Sequence, residues 1–115
     1  MPLLKIQTNR QIEPDRARAI AAAASRKTAE LLGKSERYVM VSLEHLPVMM
    51  FAGSEAPLAY LELKSIGLAD EQTGPCARTL CEWVGQELDV PPDRIYIEFT
   101  DVARHRWGWN GRTFA

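Results

Sequence analysis

The sequence predicts an α+β fold, in which two β-α-β units form a four-stranded sheet with both helices on one face and a C-terminal hairpin follows. Strand-like and helix-like periodicities alternate twice along the 115 residues. The two halves also echo each other: Pro2-Leu3 recurs as Pro57-Leu58, and Glu36-Arg37 has a counterpart in Asp93-Arg94. Near the end of the chain, Asn110-Gly111 lies between aromatic-rich arms, which indicates a tight hairpin.

The first unit begins with a short apolar strand. Its predicted segments are a strand over 2–8, a polar connection over 9–13, a helix over 14–32 and a strand over 37–46. The helix begins at Pro14 because proline favours the first helical position and Asp15 is favourable in the first turn. Apolar residues then recur at three- and four-residue spacing until Gly33 ends the helix.

The second unit repeats this order after a loop over 47–56. Its predicted segments are a strand over 57–66, a loop over 68–74, a helix over 75–88, a loop over 89–93 and a strand over 94–100. Pro75 is expected to open the second helix. The run from Val48 to Phe51 is too apolar for a solvated loop and is expected to pack against a neighbour, whereas Arg104 to Arg106 are expected to be solvated.

With both helices on one face, the other face of the sheet is left bare. The strands carry Leu, Ile, Val, Met and Tyr. An apolar face of that size is expected to be covered by another subunit. This argument alone predicts an oligomer.

Composition excludes several classes of function. The hydrophobic fraction of 46% and charged fraction of 25% are typical of one soluble domain over 1–115. A net charge of −1 with interspersed signs argues against a nucleic-acid or membrane-surface partner. No stretch approaches the roughly 18 apolar residues of a membrane span, and no signal peptide is present, so a cytoplasmic location is expected.

Cys76 and Cys81 point roughly 140° apart around the predicted helix and are expected to be reduced thiols.

Pro2 is a candidate general base. Aminopeptidases remove Met1 before a small residue, which would leave Pro2 with a free secondary amine. An α-amino group titrates near about 8, and burial or a neighbouring cation lowers its pKa further. A base poised near physiological pH suits proton-transfer catalysis. While Met1 stays attached, the Pro2 nitrogen is a tertiary amide and cannot act as a base.

Several short stretches, each weak alone, occur in a specific order over the whole chain: Met1-Pro2, Thr8-Asn9, Gly33-Lys34, Phe51 to Ser54, Ser65-Ile66-Gly67, Pro92 to Ile97, Gly108-Trp109-Asn110 and Thr113-Phe114-Ala115. Together they resemble the macrophage migration inhibitory factor family of tautomerases. The resemblance implies a homotrimer whose three sheets form a central barrel, with an active site at each subunit interface. It also implies keto–enol tautomerisation of α-keto acids such as phenylpyruvate, with dopachrome-like compounds as further substrates, and no metal or organic cofactor.

The resemblance assigns roles to particular residues. The catalytic base falls on Pro2, and the lysine that binds the substrate carboxylate falls on Lys34. Ile66 would offer a backbone N–H to the substrate. The remaining assignments are a tyrosine from a neighbouring subunit, Tyr96, and two aromatic pocket residues, Trp109 and Phe114. Other roles stay open, since Lys34 could complement the helix dipole, Ile66 could be core, and the three aromatic residues could be subunit contacts.

The sequence departs from the vertebrate members at three places. Glu98 stands where they have an asparagine at the pocket rim, so it would repel an anionic substrate and could raise the Pro2 pKa. Trp107 replaces a smaller aliphatic residue and either narrows the pocket or lies outside it. Leu58 and Leu61 replace the Cys-x-x-Cys pair, which excludes thiol–disulfide exchange.

Two other functions are compatible with the resemblance. The first is a cytokine-like protein that binds a receptor and has a secondary pocket, and leaderless secretion is open because animal members are secreted without a signal peptide. The second is a related decarboxylation or dehalogenation. That chemistry needs arginine side chains in the pocket. Arg94 matches a position that the tautomerases share, so no arginine clearly takes this role. The sequence therefore favours decarboxylation or dehalogenation least.

Overall fold

Two β-α-β units follow one another in the computed structural model, which describes all 115 residues. The elements are β1 (Leu3–Thr8), α1 (Pro14–Leu32), β2 (Met40–His45), β3 (Ala59–Ile66), α2 (Asp70–Leu88), β4 (Ile95–Val102), β5 (Gly108–Trp109) and β6 (Arg112–Thr113). Short 3-10 turns cover Glu36–Tyr38, Pro92–Arg94 and Arg104–Arg106. Neither helix is long and apolar enough to cross a membrane.

The four long strands form one mixed sheet in the order β2-β1-β3-β4. Each β-α-β unit supplies one parallel pair, β1 with β2 and β3 with β4. The two units join through the antiparallel pair of β1 and β3, where Ile6 lies opposite Leu61. β5 and β6 form the separate hairpin. The predicted fold class is therefore confirmed.

The core lies between the sheet and both helices. Side chains alternate between the two faces of a strand, and in β1 and β3 one of the two sets is fully buried: Leu4, Ile6, Leu61 and Leu63. The helices cover these residues with one apolar stripe each: Ile20, Ala24 and Leu32 from α1, and Leu80, Val84 and Leu88 from α2. Both helices consequently pack on the same face.

The centre of the opposite face of the sheet is polar, so the prediction that this whole face is apolar is wrong. Lys5, Glu62 and Glu98 occupy one row across three strands. The amine of Lys5 lies 3.8 Å from the Glu62 carboxylate, and Gln7 donates to Glu44 at 3.1 Å. The period of two explains the error, because most of the leucine and isoleucine residues fall on the positions that face the helices. The polar centre of this face does not by itself indicate an oligomer.

Helix α2 begins at Asp70, five residues before the predicted start at Pro75. The Gln72 side chain accepts a hydrogen bond from the Ala69 N–H at 2.9 Å, and the Gln72 N–H donates to the Ala69 carbonyl at 3.0 Å. Asp70 and Glu71 add negative charge to the first turn. These groups begin the helix upstream of the proline, whose missing N–H deprives only the Glu71 carbonyl of a partner.

Three strand boundaries also differ from the prediction. β2 begins at Met40, because Ser35 to Tyr38 form a 3-10 turn in which the Ser35 hydroxyl accepts from the Arg37 N–H. β3 begins at Ala59, and β4 continues to Val102 along its partner β3. In the apolar loop, Val48 and Met50 are 79% and 65% exposed, so neither is covered within one chain.

Cys76 is buried, Cys81 is half-buried, and both thiols are free, as predicted. Burial raises the pKa of each thiol above its usual value. Neither side chain is therefore a reactive thiolate at neutral pH.

Two glycines of α2 should respond oppositely to alanine. A Cβ on Gly85 would lie 2.9 Å from the Val90 carbonyl oxygen, a backbone atom that cannot move away cheaply. We expect Gly85→Ala to lower the free energy of unfolding by about 1–3 kcal/mol. Gly74→Ala is the matched control, because a Cβ there meets nothing within 4 Å. It should be neutral or stabilising by up to about 1 kcal/mol.

Urea unfolding followed by circular dichroism measures both variants against the unmodified chain. Equal midpoints for Gly85→Ala and Gly74→Ala would contradict the close approach at Gly85.

Candidate active site

The end of α1 positions Lys34. Gly33 adopts the left-handed conformation with φ +62°, which favours glycine. The Gly33 N–H donates to the Glu30 carbonyl at 3.3 Å, and the Lys34 N–H donates to the Ala29 carbonyl at 3.0 Å. These two bonds form a Schellman motif, which turns the chain sharply out of the helix.

From this turn the Lys34 side chain reaches the end of β3. Its Nζ donates to the Ile66 carbonyl oxygen at 2.6 Å. The structure thus brings together two predicted site residues from different β-α-β units. An ammonium has three donors, so two N–H groups of Lys34 remain available for a ligand.

The N-terminus lies beside this lysine. Pro2 is fully buried, and its carbonyl accepts a hydrogen bond from the Met40 N–H at 3.0 Å. Met1 is half-buried. Burial lowers the pKa of the Met1 α-amino group below its ordinary value of 8.0, and the positive charge of Lys34 lowers it further. The environment at this end of the sheet therefore favours a neutral amine.

A cavity of about 290 Å³ opens where these groups meet. Its lining residues are Met1, Lys34, Ser35, Tyr38, Ile66, Arg104 and Phe114. This volume lies near the lower end of the roughly 300–1,000 Å³ typical of small-molecule sites. We call it the Lys34 cavity. Its lining includes two cations and no carboxylate side chain.

A second cavity, of about 400 Å³, lies on the other side of Met1 and Tyr38, which line both. Its remaining lining residues are Pro2, Leu3, Arg37, Val39, Met40, Trp107, Gly108 and Trp109. The sequence leaves open whether Trp107 narrows the pocket or lies outside it. In the structure, Trp107 lines this second cavity together with Pro2. Trp107 therefore lies beside Pro2 and does not line the Lys34 cavity.

The C-terminal hairpin supplies an aromatic wall. The rings of Tyr38 and Trp109 meet edge to face with centroids 6.0 Å apart, and Trp109 stacks on Phe114 at 6.1 Å. The Phe114 N–H is shared between the Arg104 and Trp107 carbonyls, both at 3.2 Å. The tail is thus folded back beside the N-terminus of its own chain, with Phe114 in the Lys34 cavity and Trp109 in the second cavity.

Tyr96 and Glu98 do not join this group within one chain. In the sheet register Tyr96 lies opposite Tyr60, which lies opposite Gln7. At about 3.3 Å per residue and 4.8 Å per strand, Tyr96 is about 16 Å along and about 10 Å across the sheet from Pro2. Its ring instead packs on Phe51 at 4.5 Å. Glu98 lies two residues further along β4, level with Lys5 and so nearer to Pro2 than Tyr96 is. Its carboxylate accepts a hydrogen bond from the Thr100 hydroxyl at 2.7 Å.

Sequence reasoning missed several residues that line the two cavities: Met1, Ser35, Arg37, Tyr38 and Arg104. Arg104 was expected to be solvated, and although exposed it lines the Lys34 cavity. Arg94 differs, because its guanidinium donates to the carbonyls of Phe51, Ser54, Ala56 and Pro57 at 2.7–3.3 Å. Arg94 therefore holds the loop before β3 and does not face the cavities.

Comparison with known proteins shows the family of the chain. Residues 1–115 match the family model described as macrophage migration inhibitory factor (MIF). The chain belongs to the MIF family. The resemblance seen in the sequence motifs is thereby confirmed. MIF family members have tautomerase activity and a cytokine role.

Curated MIF proteins match the chain over its whole length. The macrophage migration inhibitory factor of Meriones unguiculatus is 33% identical over 118 residues and covers 100% of both chains. The homolog from Brugia malayi is 36% identical, with 99% of each chain covered.

Solved MIF structures share the fold. The homologue from Prochlorococcus marinus has a TM-score of 0.92 at 44% identity and covers 98% of this chain and 99% of its own. Macrophage migration inhibitory factor of Toxoplasma gondii has a TM-score of 0.90 at 31% identity, covering 97% and 99%.

Proposed function

We propose that this MIF-family chain is a keto–enol tautomerase of phenylpyruvate-like α-keto acids, with the Pro2 amine as general base after removal of Met1. One observation carries the proposal: Met1, the Lys34 amine and Ile66 meet at one cavity with an aromatic wall, and Pro2, the next residue, lines the adjoining cavity. Dopachrome-like compounds are further candidate substrates, because they are also planar, enolisable and anionic.

The proposed reaction moves one proton. The neutral Pro2 nitrogen takes a proton from the carbon next to the substrate carbonyl, and the electron pair moves onto the carbonyl oxygen as an enolate. Pro2 then returns the proton to that oxygen to give the enol, and the reverse sequence gives the ketone. Lys34 stabilises the substrate carboxylate and the developing enolate through its free N–H groups. Tyr38 and Phe114 would exclude water from the charged intermediate.

Burial and Lys34 should both keep the base neutral. Both lower the pKa of the α-amino group at this end of the sheet, and we expect them to act likewise on the Pro2 amine, one residue further into the sheet. Because only the neutral amine accepts a proton, a lowered pKa extends activity toward lower pH.

Substituting Lys34 should separate the effect of its positive charge on the base from the effect of burial. We expect Lys34→Gln to reduce kcat/KM for phenylpyruvate by about 10²–10³-fold, since a positioned charge for the enolate is lost. Removing that positive charge also raises the pKa of the N-terminal amine, so the acid limb of the pH profile should move to higher pH. A pH profile of initial rates measures both changes.

Lys27→Gln is the control, because the Lys27 amine lies 5.7 Å from the Trp83 ring, away from the cavity. A profile of Lys34→Gln that kept the same acid limb would contradict the role of Lys34 in setting the pKa of the base.

We further propose a homotrimer in which a neighbouring subunit brings Tyr96 and Glu98 to the Lys34 cavity. In one chain Tyr96 is 64% exposed. The apolar side chains of Val48 and Met50 are 79% and 65% exposed. Exposed apolar groups of this size are typical of a protein interface.

The direct test of the tautomerase is phenylpyruvate ketonisation, followed by ultraviolet absorbance, with protein whose mass confirms removal of Met1. A rate no greater than that of buffer alone would refute the tautomerase.

A second candidate is a cytokine-like receptor-binding protein with a secondary pocket, which the family's cytokine role supports. Receptor binding that survives Pro2→Gly would favour that function.

A further inference from the structure

Within one chain, the Lys34 cavity contains two cationic side chains and no carboxylate. The single Glu98 carboxylate that the proposed trimer brings there would offset at most one of these two positive charges. We propose that Arg104 is a specificity residue, which binds the second carboxylate of an enolisable keto diacid while Lys34 binds the first. This inference rests on the proposed tautomerase and narrows its substrate class from α-keto acids in general to those with two anionic groups.

Neither cation has a partner of opposite charge. The ion pairs of the chain are Lys5–Glu62, Arg10–Asp89, Arg16–Glu87 and Arg18–Asp15. Lys34 is fixed only by the Ile66 carbonyl, a neutral group. Two cations without a partner that line one cavity together favour an anionic ligand.

Arg104 is oriented but not saturated. Its Nε donates to the Phe114 carbonyl at 3.0 Å, and its own carbonyl accepts from the Phe114 N–H at 3.2 Å. The two terminal nitrogens of the guanidinium have no hydrogen-bond partner in the chain. They form the fork that binds a carboxylate in a bidentate manner.

Arg94 shows how a purely structural arginine differs in this protein. All three of its guanidinium nitrogens donate to backbone carbonyls. Arg104, which lines the Lys34 cavity, uses one nitrogen for its anchor and leaves two without a partner in the chain. This difference points to a ligand for Arg104.

The anchors also favour two separate carboxylates over a shared one. Lys34 is tied to the end of β3, whereas Arg104 is tied to the C-terminal tail. The cations therefore approach the cavity from different elements. A short diacid could reach both and place its enolisable carbon between them.

A matched pair of probes tests the inference. 2-Oxoglutarate and 2-oxopentanoate have the same five-carbon α-keto acid chain and differ in the terminal carboxylate. With Met1-processed protein, we expect calorimetry to show about tenfold tighter binding of 2-oxoglutarate, the value of one charge-assisted hydrogen-bonded pair. Arg104→Ala should abolish this preference, and Arg104→Lys should retain part of it.

The control is Arg106→Ala, which removes a neighbouring exposed arginine of the same turn that does not line the cavity. It should keep the tenfold preference. Circular dichroism of each variant shows whether it is folded, and Arg104→Lys preserves the test if Arg104→Ala is not.

Three results would overturn the inference. One is equal binding of the two probes to the unmodified protein. Another is an Arg104→Ala variant that weakens both probes equally, which would mean that Arg104 and Lys34 share one carboxylate. The third is a diacid preference that emerges only in Glu98→Gln, which would mean that Glu98 of a neighbouring subunit neutralises Arg104.

Exchange of the C3 protons of 2-oxoglutarate in D₂O, followed by NMR, separates this inference from the proposed function. Tight diacid binding without C3 exchange would refute the tautomerase for this substrate and leave Arg104 as part of a dicarboxylate site. Exchange without a diacid preference would support the tautomerase and overturn the role of Arg104.

Discussion

Replacing Pro2 by glycine should reduce kcat/KM for phenylpyruvate by at least about 100-fold, the lower range of what a positioned general base contributes. The proline ring is buried at the start of β1 and holds the nitrogen in one orientation. Glycine would offer a primary amine on a flexible backbone in its place. A form that retains Met1 should be at least as inactive, because its Pro2 nitrogen is an amide without a basic lone pair.

Pro57→Gly is the matched control, since Pro57 occupies the corresponding place before β3 in the second β-α-β unit. It should leave kcat/KM within about twofold, because Pro57 lines neither the Lys34 cavity nor the cavity beside it. Mass spectrometry of each preparation establishes whether Met1 is present. Unmodified protein that is no faster than Pro2→Gly and the Met1-retaining form would exclude Pro2 as the base for this substrate.

The fold could be predicted largely because its signals are local. Gly33 ends α1 where the sequence predicts, since only a left-handed residue closes that helix. The predicted start of α2 was wrong because the helix begins at Asp70, where Gln72 accepts from the Ala69 N–H. The sequence signal for this start is incomplete, since Ala69 stands where a capping box has Ser or Thr. The centre of the open face differs from the prediction because composition does not show which face of a strand each residue occupies, and most leucine and isoleucine residues face the helices.

The candidate site could be predicted less completely because its contacts are remote in sequence. Family motifs pointed to Pro2, Lys34 and Ile66, and the last two meet in the structure. Nothing local indicates that Arg104 lines the same cavity, since that depends on the tail folding back through its hydrogen bonds to Phe114. The pairing of Tyr38 with Trp109 depends on the same fold-back.

Mixing two inactive variants should restore activity if the site is shared between subunits. Tyr96 lies about 16 Å along and about 10 Å across the sheet from Pro2 in one chain, so we expect it to serve the site of a neighbouring subunit. We expect Pro2→Gly and Tyr96→Ala each to be impaired alone. Unfolding and refolding them together in equal amounts should produce mixed trimers.

In such trimers each site takes Pro2 from one subunit and Tyr96 from another. With random assembly, about one half times one half, or about a quarter, of the sites receive both unmodified residues. Phenylpyruvate ketonisation should therefore recover to about a quarter of the unmodified rate, whereas Pro2→Gly refolded alone should stay near its residual rate. If Pro2 and Tyr96 instead served the same site from one chain, every site would carry one defect, and mixing would restore nothing.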